Sequence, residues 1–144
     1  MAGNNDPIFT KQGDLSTNGT TGMSQAITLA AADYTGIGAN NALVFTATAL
    51  DGGYVSRLRL TPSGTNVAAV MRVYLNNGLT NATATNNAFF GEISLPATTV
   101  STTAALPSVD YQIGFALPPG WRIYVGLGAA VAAGWTCVTL GGKY

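Results

Sequence analysis

Few side chains in this sequence are equipped for chemistry. The carboxylates are Asp6, Asp14, Asp33, Asp51, Glu92 and Asp110, and five of these six lie in loop-like, arm-like or strand-start stretches beside Gly, Pro or Thr, where Asp ordinarily caps a turn. Glycoside hydrolysis needs two carboxyl groups facing each other across a sugar, and only a fold that gathered distant loops would supply such a pair. The chain contains no His, so the usual base for a Ser or Cys nucleophile is missing, and no Ser stands in a nucleophile elbow. The single cysteine, Cys137, lies in Trp135-Thr-Cys-Val-Thr, an alternating pattern that makes it a small packed side chain. Metal ions want clustered His, Cys or carboxylates. The run Gly126-Leu-Gly128 has its third Gly misplaced for a dinucleotide loop, and no helical pattern follows it. The expectation is a protein that is not an enzyme and carries no cofactor and no metal.

The residues left for function are those of recognition. Trp121, Trp135 and Tyr124 are aromatic enough to stack on sugars, but Trp121 and Trp135 each open an alternating strand, where large aromatics close the end of a sandwich or meet another subunit. Arg57 and Arg59 stand two apart, on one face of a strand, as a solvated face or as ion pairs across a subunit boundary. Pro7-Ile8-Phe9 is an apolar island in a polar stretch, placed either to tuck onto its own domain or to anchor to a neighbour.

Six basic and six acidic residues cancel over 144 residues, and the basic ones are scattered. A nucleic-acid binder needs a basic footprint to neutralise phosphates, and none is present. Scarce charge with abundant Thr, Asn, Ser and Ala leaves a surface with little protection against association, which suits a protein inside an assembly. The opening Met-Ala-Gly-Asn-Asn-Asp-Pro lacks the basic start and apolar run of a secretory signal, and the apolar stretch Val125 to Val138 is too short and too Gly-interrupted for a membrane helix. The triplets beginning at Asn18 and Asn81 match the glycosylation pattern, but read as accidents of composition.

These residues must be positioned by strands. Residues 1–21 read as an N-terminal arm and residues 22–144 as the domain. Short alternating runs recur between turn residues: Ala42 to Thr48, Tyr54 to Leu60, Asn66 to Asn76, Phe89 to Leu95, Asp110 to Leu117, Trp121 to Leu127 and Trp135 to Leu140. Leu58 and Leu60 oppose Arg57 and Arg59; Ala69, Met71, Val73 and Leu75 oppose Val70, Arg72 and Tyr74; Phe89, Ile93 and Leu95 share a side, as do Tyr111, Ile113, Phe115 and Leu117. The segment Gly22 to Asp33 is assigned a further strand. Long Thr/Ser/Ala connections such as Ala97 to Pro107 suit sheet crossings. The fold expected is all-β: a jelly-roll-like two-sheet sandwich of about eight antiparallel strands with an extended N-terminal arm.

The stretch from Leu117-Pro-Pro-Gly-Trp-Arg-Ile-Tyr-Val-Gly to Leu140-Gly-Gly-Lys-Tyr144 resembles the ending of small virion proteins of tailed bacteriophages, with their Leu-Pro-x-Gly-aromatic turn and final Gly-Gly, charged residue and Tyr. Asn5-Asp-Pro-Ile-Phe9 is similar to their openings, and Asp51-Gly-Gly-Tyr-Val-Ser-Arg-Leu58 to one of their central strands. The resemblance implies a jelly-roll cement, or decoration, protein. Such a protein is made in the host cytoplasm and sits on the outer surface of an icosahedral capsid. Its partners are the major capsid protein and copies of itself, a trimer being favoured over a dimer, with no nucleic acid and no membrane. On that reading Pro7, Ile8, Phe9, Arg57, Arg59, Trp121, Trp135, Lys143 and Tyr144 are the capsid or subunit contacts. A second expectation, of a different class, is a carbohydrate-binding tail or fibre module working through its Trp and Tyr side chains.

Overall fold

Strands that alternate apolar and polar residues gain most when one face of each is closed against a second sheet. The structure, a computed structural model, describes residues 12–17, 26–30 and 33–144, the first group as backbone. Its strands are β1 (Gln12–Thr17), β2 (Ala42–Thr46), β3 (Gly53–Pro62), β4 (Ala69–Asn76), β5 (Asn87–Leu95), β6 (Val109–Leu117), β7 (Arg122–Leu127) and β8 (Trp135–Lys143). They form two four-stranded antiparallel sheets, ordered β1-β8-β3-β6 and β2-β7-β4-β5. The chain changes sheet at every connection except β4 to β5, where a short 3-10 turn, Ala84–Asn86, intervenes. With β4 beside β5, β3 beside β6, β2 beside β7 and β1 beside β8, the order is that of a long antiparallel hairpin rolled into two layers, a jelly roll.

The number of strands agrees with the sequence reading, but the first of them lies elsewhere. Gln12–Thr17, read as part of the arm, pairs along its whole length with β8, from Gln12 opposite Lys143 to Thr17 opposite Val138. In the segment 22–33, the described residues form two isolated bridges in place of a strand, Ile27 to Trp135 and Ala30 to Leu127. Apolar alternation reports which side chains are buried, whereas an edge strand is held mainly by backbone hydrogen bonds that any sequence without Pro can make.

Between the sheets, Leu58 and Leu60 are fully buried beside Val55, while Met71 and Val73 face them from the second sheet with Ile123, Val125 and Leu127. Val55 and Leu58 both point inward although they are three residues apart, because Ser56 is an extra residue in β3 relative to β8. Burial of such aliphatic side chains contributes about 1.5–3 kcal/mol each. A hydrogen bond joins the layers directly, the Thr139 hydroxyl donating to the Val44 carbonyl at 2.8 Å.

One end of the sandwich is tied by Asn66. Its Nδ2 donates to the carbonyls of Gly64 and Gly134, and its Oδ1 accepts the amides of Ala133 and Gly134. Its backbone exchanges hydrogen bonds with Thr98, so one buried residue ties three loops, two through its side chain and one through its main chain.

Candidate functional site

The opposite end gathers the residues that the sequence singles out. Tyr144 donates its backbone amide to the Gly52 carbonyl, and Gly120 donates to Thr48, which in turn donates to Gly52. The half-buried Trp121 accepts the Ala47 amide on its carbonyl, and Lys143 places its ammonium 5.8 Å from the Phe45 ring centroid, within reach of a cation–π contact. Trp121, Lys143 and Tyr144 therefore lie on one end of the sandwich, where β2 and β8 finish and β3 and β7 begin. Gln12, opposite Lys143, starts β1 at the same place. Pro7, Ile8 and Phe9 lie outside the described residues.

Arg57 and Arg59 point away from the core on the outer face of the β1-β8-β3-β6 sheet. Arg59 grips Asp110 of the neighbouring strand in a two-point bond, Nε to Oδ1 at 2.8 Å and Nη2 to Oδ2 at 2.9 Å, and Arg57 Nε stands 3.8 Å from Oδ2. The Arg59 hydrogen bonds, seconded by the charges of Arg59 and Arg57, hold the Asp110 carboxyl below the usual carboxylate range. This pairing is internal to the chain, so the expected intersubunit role of these arginines is not needed to satisfy Asp110.

Trp135 takes the first of its two sequence readings, closing the end of the sandwich, and its place among the capsid or subunit contacts is corrected. It is wholly buried at the start of β8, opposite Pro62 and bridged to Ile27, and is removed from any capsid, subunit or sugar contact. Tyr124 is buried as well. Cys137 is the packed core residue its setting implies, with burial pushing its thiol up to about 12.

A surface that the sequence reading missed runs along the side where the two edge strands β5 and β6 lie. In β5 the pairing passes from Gly91 opposite Val73 to Phe89 opposite Tyr74, leaving Phe90 as the extra residue. Phe89 is thereby turned out of the core, away from the side of Ile93 and Leu95 on which strict alternation places it. It sits with Tyr34, their rings edge-on at 5.0 Å, and beside Tyr74. The Arg72 guanidinium lies 4.4 Å over the Tyr34 ring and bonds Glu92 at 3.4 Å, while the Tyr74 hydroxyl donates to the Asp33 carbonyl.

Phe90 faces the gap between the sheet edges, 6.1 Å from the Tyr111 ring and 5.5 Å from Phe115. Gly91 has no side chain because the Tyr111 hydroxyl occupies the space a Cβ would take. The result is a row of aromatics at the rim of the sandwich, with Tyr34 55 %, Phe89 41 % and Phe90 37 % exposed. The adjacent pair Phe89-Phe90 was the available signal: neighbours in a regular strand point to opposite faces, so at least one ring must leave the core.

Among the described residues, no three His, Cys, Asp or Glu side chains group as a metal site, and no helix is long and apolar enough to cross a membrane. Comparison with protein-family models, with curated proteins and with solved structures finds no match to this chain.

Proposed function

We propose that this chain is a structural virion protein, a capsid cement protein that binds the outer surface of an icosahedral phage capsid as a homo-oligomer and stabilises contacts between capsomers. The observation that carries the reading is the convergence at one end of the sandwich, where β1 begins opposite Lys143 and where Tyr144 and the half-buried Trp121 also lie. Aromatic and cationic groups gathered in one place form a compact contact for a neighbouring surface. The sequence resemblance to tailed-phage virion proteins and the scarcity of charge point the same way.

The mechanism is avidity. Each subunit makes a modest contact, and a rigid two-layer platform in an oligomer presents several at once, so that release needs all of them to fail together.

The test is the copy number of this chain relative to the major shell protein in purified phage particles, by quantitative mass spectrometry. A ratio near one, or a simple fraction of it, is expected. A handful of copies would transfer the chain to a tail or fibre, and absence from particles would end the virion reading.

A further inference from the structure

We propose that the β5–β6 side of the sandwich, lined by Tyr34, Phe89, Phe90, Tyr111 and Phe115, is the surface through which this chain binds a second copy of itself. The inference rests on the homo-oligomer part of the reading above and not on the capsid.

Three observations lead to it. First, β5 and β6 are the outer strands of their respective sheets, so among the described residues no strand pairs with the outer edge of either. Edge strands are ordinarily guarded against pairing by Lys, Pro, inward charge or a bulge; neither Asn87–Leu95 nor Val109–Leu117 contains a Lys, Arg or Pro, and the bulge of β5 at Phe90 leaves Gly91 to Leu95 in regular register. Second, the bulge at Phe90 turns aromatic rings toward solvent, and the Arg72 and Phe89 contacts hold Tyr34 in place before any partner arrives. Exposed, immobilised aromatics are the residue types that anchor protein interfaces, because they bury much area at small entropic cost.

The third observation selects the occupant. The ionic groups on these two strands are Glu92 and Asp110, and each carboxylate is clamped by an arginine of the same chain, Arg72 and Arg59 respectively. A copy of the same molecule brings the same surface, and a surface with net charge would repel its copy. This one brings compensated charges and aromatic rings, so self-contact is not opposed electrostatically.

The experiment is sedimentation of the purified full-length chain over a range of concentrations, with no virus present. The unaltered chain is expected to sediment as an oligomer. Phe89→Lys removes an anchor and adds a charge; Gln112→Lys adds the guard that β6 lacks at an exposed position without packing duties. Each is expected to weaken association about 30-fold or more, the scale of losing a central anchor. Leu50→Lys, at an 86 % exposed site in the β2–β3 turn, is expected to change nothing.

Far-ultraviolet circular dichroism and the emission of buried Trp135 report whether each variant folds; should Phe89→Lys fail to fold, Gln112→Lys decides. A monomer at every concentration overturns the proposal, as does an oligomer indifferent to the folded variants. Loss of the oligomer on removal of residues 1–11, with both flank variants still associating, would assign the contact to the arm. Failure of the copy-number test leaves this result untouched, since the assay contains no capsid.

Discussion

Asp110 shows how a single side chain sets both a surface and a pH response. The two-point bond from Arg59, in the geometry that matches guanidinium to carboxylate, lowers its pKa. Its contribution to stability is therefore present above the unfolded value of about 4 and is lost as pH falls through the depressed folded value. Arg59→Gln is expected to raise the Asp110 titration midpoint toward the ordinary carboxylate range, read by NMR of the side-chain carboxyl. Asp33, whose pKa is lowered by the Thr35 hydroxyl and then the Thr35 amide, should not move. An unmoved Asp110 would mean that Arg59 does not control it. The Arg57/Arg59 face was legible in the sequence from spacing of two, but the partner was not, since Asp110 lies 51 residues away from Arg59.

At the scale of the element, one extra residue decides more than composition does. Ser56 in β3 and Phe90 in β5 each shift the parity of their strand, and a one-residue shift moves every later side chain to the other face. Where no such shift intervenes the sequence was readable: Leu58 and Leu60 against Arg57 and Arg59, Met71 and Val73 against Arg72. In β5 it was not, and Phe89 came out on the surface. The irregularity in β3 also has a cost for its neighbour: a Cβ at Gly141 would run into the Tyr54 carbonyl and stand 3.0 Å from the Val55 Cα. Both obstacles are backbone, which cannot swing aside. Gly141→Ala is expected to destabilise the fold by about 1–3 kcal/mol, as forced overpacking does, measured by urea unfolding. A variant as stable as the parent would show that β3 and β8 can separate locally without loss.

Across the whole molecule, the two layers enclose one core in which Cys137 is completely buried. With its thiol pushed up to about 12, native Cys137 is not a thiolate at neutral pH, and a thiol reagent should label it only when the sandwich opens. The labelling rate in native buffer is expected to equal that of global unfolding and to rise with denaturant in parallel; labelling at the rate of an exposed cysteine would mean that the core opens locally. The ends and sides of this body are chemically distinct. One end is closed by Asn66 and Trp135, the other carries Trp121, Lys143 and Tyr144, and the β5–β6 side carries the aromatic row. The all-β class, the inward and outward faces of residues 57–60 of β3, of β4 and of β6, and the packed state of Cys137 were settled by sequence alone, because a strand's period of two is a local property visible in any short window. Strand order, the existence of β1, the burial of Trp135 and the outward turn of Phe89 were decided only by the tertiary structure. They depend on hydrogen bonds and contacts between segments far apart in the chain, whose register no local pattern specifies.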